Sequence, residues 1–356
     1  MKNLKKEFRV FASGAELLAL GALDSGVRFF AGYPITPSSG IYEAMVKWLP
    51  STGGIALPAP DEISAISYCI GSSLAGTLAL TATSGPGFAL MTESIGYAVM
   101  AEIPLIVVLA QRLGPATGGA TTSAQGDLLL TRFCVSGAYP FPILSPSSFA
   151  ECYEVMHRAV DIAQSASTPV AVLTDKEMMM NMMTTPLMRQ QNAGKKENGF
   201  GKTIRKITGS SHSFEGKYTD QPQIYSPVLA HLKEKILQKA EEWMWYEYEE
   251  APESRILVIS WGHPCGAIRQ AFSHRESSWS YLFLKTIFPL PFSLFSTLFS
   301  RYETLLFVEE NIEPTLLILI QSLFPCLPPC QVLNTIGELI SPQKVLERIR
   351  QMERKR

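Results

Sequence analysis

The chain has 356 residues, of which 46% are hydrophobic and 18% are charged. This length predicts two or three domains, and the hydrophobic content supports large cores, which excludes global disorder. The formal net charge of -1 gives no basic excess to pair with phosphates, so a general role in binding nucleic acid or anionic membranes is not expected.

The sequence also argues against export, membrane insertion and metal binding. Residues 1–7 (MKNLKKE) lack the apolar core of a secretory signal, and no apolar run reaches the roughly 18 residues that a membrane helix needs. The six cysteines form no CxxC pair, so zinc or iron–sulfur ligation by this chain is not expected. We therefore expect a cytoplasmic protein with reduced thiols and no metal site of its own.

The first half of the chain alternates helical and strand-like segments. Ser13 and Glu16 have the spacing of a capping box and predict a helix that ends near Gly26. The apolar strand-like segments that follow are residues 27–31, 78–83, 105–110 and 170–173, and the helices predicted around them include residues 40–49, 61–76 and 148–166. This β-α-β-α order predicts an α/β fold with a doubly wound, mostly parallel sheet.

The second half begins with a change of composition. Residues from about 185 to 225 are rich in Gly, Ser, Asn, Gln and Lys and predict a linker, and a charged helix is expected at about 227–249. A second, smaller α/β unit starts at Arg255, with strands predicted at 256–260, 281–284 and 305–308. We expect one domain at 1–190, a linker and charged helix at 191–250, and a second domain at 251–356.

A rigid turn, residues 32–39 (GYPITPSS), follows the first apolar strand of the sheet. Pro34 and Pro37 restrict the backbone on both sides of Thr36, so the turn cannot easily relax. Ser38 can cap the helix that follows. Because open α/β sheets bind ligands beyond the carboxyl ends of their strands, this turn predicts a ligand-binding edge.

Asp61 and Glu62 begin a helix that is otherwise apolar. One interpretation is a pair of carboxylates favoured by the helix dipole. The other is that one carboxylate faces a pocket and hydrogen-bonds a ligand nitrogen, because a buried glutamate can share or donate a proton near neutral pH.

Two further segments follow strands at the same edge. Residues 81–88 (TATSGPGF) form either a tight turn only or a ligand loop, and they contain no GxGxxG, P-loop or GxSxG pattern. Arg112 comes directly after the strand at 105–110 and is either part of a structural salt bridge or a bidentate partner for a ligand carboxylate. The Gly- and Thr-rich residues after Arg112 predict a loop that closes over a ligand.

The strand ends of the second unit carry polar side chains as well. Residues 309–311 (EEN) end a buried strand and mark either a domain interface or a solvated edge, and His263 lies at another strand-to-turn edge. Four aromatic residues near the end of the charged helix are expected to pack rather than to stack on bases, because no basic patch surrounds them.

Taken together, these segments resemble the alpha subunit of the 2-oxoacid:ferredoxin oxidoreductases, in particular the 2-oxoglutarate type. The resemblance covers residues from about 8 to 180 and from about 255 to 349. It depends on residues 32–39 (GYPITPSS), 61–63 (DEI), 81–87 (TATSGPG), 111–112 (QR), 114–115 (GP), 125–127 (QGD) and 308–311 (VEEN).

The resemblance implies that the first domain is the pyrimidine-binding half of a thiamine diphosphate site and that the second is a transketolase C-terminal-like domain. Glu62 would be catalytic, hydrogen-bonding the aminopyrimidine ring of the cofactor. Thr36 and Arg112 would bind the 2-oxoacid, with Arg112 on its carboxylate. The remaining positions that would contact the cofactor are Pro34, Ile35, Ser84, Gly85 and Pro86.

The same resemblance implies that this chain supplies only part of an enzyme. It lacks a GDG-type diphosphate and Mg²⁺ motif, which a beta subunit would carry together with half of the site. Gamma and ferredoxin-like delta subunits are expected as well, with iron–sulfur clusters only on partner subunits. The complex would decarboxylate a 2-oxoacid, transfer the acyl group to coenzyme A and pass electrons to ferredoxin.

Several positions depart from the family pattern. Ala116 and Ala120 stand where relatives commonly carry serine and proline, which puts substrate identity in doubt. Residues 58–61 (PAPD), 263–265 (HPC) and 312–314 (IEP) also differ. Two alternatives therefore stay open: a degenerate, non-catalytic alpha-like chain, and a subunit of a different split thiamine diphosphate enzyme that uses pyruvate or a branched-chain 2-oxoacid.

Overall fold

The computed structural model describes residues 7–190 and 207–354, and its strands form three sheets. The strands are β1 (Glu7–Ser13), β2 (Phe29–Gly32), β3 (Ile55–Pro58), β4 (Ala79–Thr83), β5 (Leu105–Gln111), β6 (Ile143–Leu144), β7 (Pro169–Asp175), β8 (Met182–Met188), β9 (Tyr246–Glu249), β10 (Ile256–Ser260), β11 (Ser280–Leu284), β12 (Thr286–Phe288), β13 (Thr304–Glu309) and β14 (Cys330–Asn334).

Thirteen α-helices connect these strands within the described residues. They are α1 (Gly14–Ser25), α2 (Ser39–Trp48), α3 (Glu62–Leu74), α4 (Gly85–Met100), α5 (Leu128–Phe133), α6 (Phe149–Ala166), α7 (Lys176–Met180), α8 (Pro222–Leu237), α9 (Ala240–Trp243), α10 (Pro264–Ser273), α11 (Phe292–Phe299), α12 (Thr315–Leu323) and α13 (Pro342–Arg354). None of the helices described here combines the length and the apolar character that crossing a bilayer requires.

The larger sheet has the strand order β12-β6-β7-β5-β4-β2-β3. All neighbouring strands in it are parallel except β12 and β6. Strands β7, β5 and β4 are buried along their whole length, as expected for strands that are covered on both faces. Helix α1 packs against α2 and α6, and α3 packs against α4. The predicted doubly wound, mostly parallel sheet is confirmed.

Local sequence signals position the first helices as expected, with one exception. The side chain of Ser13 accepts a hydrogen bond from Glu16 N at 3.2 Å, and Glu16 Oε2 accepts one from Ser13 N at 2.9 Å, which confirms the capping box of α1. Ser38 precedes α2, but its hydroxyl donates to the carbonyl oxygen of Ile35 at 2.8 Å instead of capping the helix. Ser38 therefore stabilises the turn after β2.

The smaller sheet has the order β14-β13-β10-β11-β9 and is parallel except for β9, which runs antiparallel to β11. This sheet is the predicted second α/β unit. Strand β12 comes directly after β11 in the chain but pairs with β6 at the edge of the larger sheet. The second unit therefore completes the first sheet.

The predicted helix at 227–249 is wrong in its second part. Helix α8 ends at Leu237, and Tyr246–Glu249 forms strand β9. Tyr248 pairs with Leu282 of β11, and its hydroxyl lies 2.5 Å from that of Tyr302. Aromatic side chains favour such a pleated, half-buried surface, which outweighs the helical pattern of the preceding charges.

The predicted linker at 185–225 also contains regular structure at both ends. Strand β8 continues to Met188 and pairs antiparallel with β1, and α8 begins at Pro222. Residues 191–206 of that segment lie outside the described residues, as do residues 355–356.

Buried polar groups join the two units. Gln125 N donates to the carbonyl oxygen of Glu310 at 2.8 Å, and Glu310 N donates back to Gln125 Oε1 at 3.0 Å. Gln125 Nε2 also donates to the carbonyl oxygen of Trp261 at 2.9 Å. Glu309, Glu310 and Asn311 are all buried. Of the two interpretations of residues 309–311, the domain interface is confirmed.

His263 belongs to the same junction. Its backbone N–H donates to Asp175 Oδ2 at 3.0 Å, and its Nδ1 lies 3.6 Å from Glu310 Oε1. Burial alone would lower the pKa of His263, but the facing carboxylates of Glu310 and Asp175 raise it to about 9. His263 is therefore a cation that links the two units.

Candidate active site

Three loops that follow neighbouring strands meet at the carboxyl edge of the larger sheet. Strands β5, β4 and β2 are adjacent, and the segments after them contain Arg112, Ser84 and Thr36. Because these strands are parallel, their carboxyl ends lie at one edge. The predicted ligand edge is thus built from three separate stretches of sequence.

The adjacent carboxylates Asp61 and Glu62 take different positions. Asp61 is exposed and caps α3, where its Oδ1 accepts a hydrogen bond from Ser64 N at 2.7 Å and this bond lowers the pKa of Asp61. Glu62 is 6% exposed, and no group in the described part of the chain donates a hydrogen bond to its carboxylate. A buried carboxylate without a donor is costly unless a ligand supplies one.

Gly87 in the first turn of α4 makes room for the Glu62 carboxylate. A Cβ atom built on Gly87 would lie 2.3 Å from Glu62 Oε1 and 2.2 Å from Thr83 Oγ1. Both distances are far below van der Waals contact, so only glycine fits between these oxygens. The end of β4, the start of α4 and the start of α3 together fix the position of the carboxylate.

Arg112 connects the ends of β5 and β2. Its Nη1 donates a hydrogen bond to the carbonyl oxygen of Thr36, and the residue is 6% exposed. Within residues 7–190 and 207–354, its Nε has no hydrogen-bond partner and its guanidinium forms no ion pair. The alternative of a structural salt bridge therefore finds no support there, and the free N–H groups are available to an anion.

The predicted cofactor-binding residues lie around this edge. Pro34 is exposed and Ile35 is half-buried in the turn after β2, whereas Ser84 is fully buried. The Oγ of Ser84 has no hydrogen-bond partner among the described residues. Gly85 and Pro86 follow it as the first residues of α4. Contacts of these five residues with a cofactor stay predictions.

A cavity of about 500 Å³ opens beside Arg112, Gly85 and Pro86. Asn311 and Ile312 of the second unit line its other side. The structure thus brings part of the predicted site together with the domain junction. Glu62 and Thr36 are not in the cavity wall. Glu62 lies against Gly87, the residue after Pro86 of the wall, and Thr36 accepts a hydrogen bond from Arg112 of the wall.

Asp127 also lines this cavity, although the sequence alone assigns it no role beyond its place in the family resemblance. Burial raises the pKa of Asp127 to about 6, and the positive charge of Arg112 limits the rise. An aspartate directly before a helix is normally interpreted as a helix cap, so no local sequence signal distinguishes Asp127 from a residue with a purely capping role.

The loop after Arg112 is held by its own backbone. Leu113 N donates to the carbonyl oxygen of Thr122 at 2.9 Å, and Gly119 N donates to that of Leu113 at 2.8 Å. Ala116, one of the departures from the family pattern, adopts a left-handed φ of 53° and forms part of the cavity wall. Closure of this loop over a ligand stays a prediction.

The fold is α/β, and the family model that matches this chain assigns it to the thiamine diphosphate-binding class. The family model described as "Pyruvate flavodoxin/ferredoxin oxidoreductase, thiamine diP-bdg" matches residues 20–243, which is more than half of the chain. The chain therefore belongs to this family.

Relatives within the family match most of the chain. The 2-oxoglutarate synthase subunit KorA of Methanothermobacter thermautotrophicus is 34% identical over 373 residues, which cover 97% of this chain and 99% of that protein. The KorA subunit of Methanocaldococcus jannaschii is 35% identical, with coverage of 81% and 85%. The 2-oxoacid:ferredoxin oxidoreductase 1 subunit alpha of Sulfurisphaera tokodaii is 29% identical, and the match covers 86% of this chain but only 56% of that longer protein.

Solved structures agree with this relationship. The chain superimposes on the 2-oxoglutarate:ferredoxin oxidoreductase of Magnetococcus marinus, solved with 2-oxoglutarate, coenzyme A and succinyl-CoA bound, with a TM-score of 0.88 and 25% identity. The match covers 96% of this chain and 65% of that one. A split-gene transketolase, at a TM-score of 0.56 and 10% identity, shares the fold alone.

Proposed function

We propose that this chain is the alpha subunit of a 2-oxoacid:ferredoxin oxidoreductase. The complex would decarboxylate a 2-oxoacid, transfer the acyl group to coenzyme A and pass the electrons to ferredoxin. 2-Oxoglutarate is the first candidate substrate, because relatives that match nearly the whole chain are named 2-oxoglutarate synthase subunits. The observation that carries the proposal is the buried carboxylate of Glu62, which has no donor in the described part of the chain and lies against Gly87.

Thiamine diphosphate fits the position of Glu62 because its aminopyrimidine ring contains a nitrogen that can share a proton with a carboxylate. When bound, the cofactor supplies a carbon nucleophile for the 2-oxo group. Glu62 would hold the proton between its carboxylate and the ring, and burial strengthens this hydrogen bond relative to one in water. The unpartnered hydroxyl of Ser84 provides a second polar contact at the same edge.

Arg112 and Thr36 would hold the substrate. The hydrogen bond from Arg112 Nη1 to the carbonyl oxygen of Thr36 fixes the guanidinium and leaves other N–H groups for a carboxylate. A fixed guanidinium loses little entropy when it binds, which favours an oriented, bidentate contact. Together these residues would hold the reacting carbon close to the cofactor.

The enzyme would need partner subunits. Residues 1–190 would form the pyrimidine-binding domain, residues 251–356 the transketolase C-terminal-like domain, and residues 191–250 the connection between them. A beta subunit would bind the diphosphate and Mg²⁺, and gamma and ferredoxin-like delta subunits would complete the complex and carry iron–sulfur clusters. The absence of a GDG motif and of CxxC pairs from the sequence supports this division.

The cavity supports a second candidate substrate class. Arg112 is the one basic side chain in the cavity wall that the described residues form, and Leu130, Ile312 and Ile336 are apolar parts of it. A 2-oxoacid with an uncharged side chain, such as pyruvate or a branched-chain 2-oxoacid, needs only this one cation. Rates with 2-oxoglutarate, pyruvate and a branched-chain 2-oxoacid, compared as kcat/KM, decide between the two classes.

The test is co-expression with a beta subunit, followed by cofactor analysis and assays of 2-oxoacid-dependent ferredoxin reduction. Glu62→Gln should lower kcat by about 10²- to 10⁴-fold, because the amide cannot exchange a proton with the ring. The matched control is Glu93→Gln, which removes the same charge from an exposed position on α4 and should leave kcat unchanged. A Glu62→Gln complex with the wild-type rate, or an assembled complex that binds no thiamine diphosphate, would contradict the proposal.

A further inference from the structure

The side chain of Asp127 makes no hydrogen bond within the described residues. It makes no capping hydrogen bond to α5, and its Oδ2 is buried without a partner there. The carboxylate instead lies against the start of α4, where a Cβ on Gly85 would be 2.6 Å from Asp127 Oδ1 and 3.0 Å from Oδ2. The backbone N–H of Asp127 donates to Gln111 Oε1 at 3.2 Å, which holds the residue in place. Its carboxylate accepts no hydrogen bond from the described residues.

Asp127 and Arg112 share the cavity of about 500 Å³ without forming an ion pair in the described structure. Arg112 is 6% exposed and its Nε has no partner there. Buried groups of opposite charge are normally paired, because each unpaired group costs free energy. Because both groups line the same cavity and are not paired with each other, one ligand can contact both.

The charged groups around Asp127 define its electrostatics. Arg112, in the segment after β5, is the cation that acts on Asp127, and the Glu62 carboxylate of α3 lies beside Gly87, two residues beyond the glycine that Asp127 contacts. The second unit lines the cavity with Asn311, Ile312 and Ile336, none of which carries a charge, and the neighbouring Glu310 is already hydrogen-bonded to Ser123 Oγ and Ile340 N. Arg112 is therefore the cation that lowers the pKa of Asp127, while burial raises it.

Substrate binding shifts the equilibrium between ionised and protonated Asp127 toward the protonated form. A carboxylate that binds Arg112 neutralises the cation and adds a negative charge to the same cavity. Both effects disfavour the ionised form of Asp127, so they favour proton uptake from solvent. The neutral carboxyl group can then donate its O–H, which the ionised group cannot.

We propose that Asp127 is a substrate-binding residue that acts in its protonated form, taking up one proton as the 2-oxoacid carboxylate binds at Arg112 and donating a hydrogen bond to that substrate. The inference rests on the function proposed above and extends it. No covalent bond changes at Asp127, apart from the O–H bond that forms on proton uptake. The proton returns to solvent when the substrate carboxylate leaves the cavity.

The test uses the assembled complex and compares KM and kcat for the 2-oxoacid between pH 6 and pH 8.5. In the wild type, KM should rise up to about tenfold per pH unit above the pKa of free Asp127, because binding requires one proton. Asp127→Asn keeps the shape and a donor but cannot take up a proton, so its KM should not vary with pH through this group. The control Asp161→Asn, at an exposed position on α6, should keep the wild-type slope.

A second measurement needs no variant. Calorimetry of substrate binding to the wild-type complex in two buffers of different ionisation enthalpy should report uptake of about one proton near pH 7. An active wild type that binds substrate without proton uptake, or an Asp127→Asn complex that keeps the wild-type slope, overturns the proposal for Asp127 alone. A wild-type complex that neither binds nor oxidises any 2-oxoacid overturns the proposed function as well.

Discussion

A substitution at Gly87 tests whether the position of the Glu62 carboxylate matters for catalysis, and it leaves the Glu62 side chain itself unchanged. In Gly87→Ala, the new Cβ would lie 2.3 Å from Glu62 Oε1, and ordinary van der Waals contact begins at 3.4 Å, so the carboxylate must retreat by about 1 Å. A misplacement of about 1 Å in an active site can lower the rate about 100-fold. We therefore expect kcat to fall about 100-fold although no reacting group has been removed.

The effect on stability should be much smaller. Overpacking against Thr83 and Glu62 costs about 1–3 kcal/mol, and replacing glycine by alanine inside a helix returns about 1 kcal/mol. Denaturant titration and kinetics on the same complex separate the two effects. The matched control is Gly96→Ala in the same helix, where the nearest atom to the new Cβ is Val135 Cγ1 at 3.9 Å. This control should gain about 1 kcal/mol and keep the wild-type kcat.

Two results would refute this reasoning. A Gly87→Ala complex with the wild-type kcat would mean that the position of Glu62 does not limit the reaction. An equal loss of activity in Gly96→Ala would assign the effect to helix α4 as a whole rather than to the contact between Gly87 and Glu62.

Two further predictions concern stability. Ile66→Ala should lower the free energy of unfolding by about 2–5 kcal/mol, because Ile66 is fully buried. Ile63→Ala, at a position that is 51% exposed, should change the free energy of unfolding by less than about 0.5 kcal/mol. Equal effects of the two substitutions in denaturant titration would contradict the orientation of α3. His263→Gln should lower the free energy of unfolding by about 2–3 kcal/mol at pH 6, because folding raises the pKa of His263 from 6.5 to about 9. The stabilisation by protonated His263 is complete below pH 6.5 and is lost as the pH rises through 9. A pH-independent loss in His263→Gln would contradict the ion-pair assignment.

Helix α3 shows how much of the site the sequence contains. Its apolar stripe predicts Ile63, Ile66, Ile70 and Leu74 on one face, but Ile63 is exposed. The buried positions are Glu62, Ala65, Ile66, Cys69, Ile70 and Ser73. These positions follow helical spacing from residue 62 onward, so the same periodicity, started one residue earlier, predicts a buried glutamate. The sequence therefore contains the pattern that predicts a buried Glu62, but the larger apolar side chain of Ile63 favours the wrong residue as the start of the buried face.

Other features depend on partners that are distant in the sequence. Strand β12 has three residues and pairs with a two-residue strand more than 140 positions earlier, which no local pattern indicates. Likewise, Arg112 is predicted at the sheet edge by its position after β5, but its contact with the Thr36 carbonyl follows only from the strand order. Local sequence therefore predicts which residues end each strand, and the pairing of the strands decides which of them meet.

The turn at residues 84–87 connects the two carboxylates of the site. Gly87 makes room for Glu62, and Gly85 makes room for Asp127. The alternative that these residues form only a tight turn does not account for two missing Cβ atoms, each of which would overlap a carboxylate. A helix N-terminus favours nearby negative charge, which helps α4 to hold the buried Glu62 and the half-buried Asp127 within one turn. The start of α4 therefore positions both carboxylates, because a Cβ at either glycine would overlap one of them.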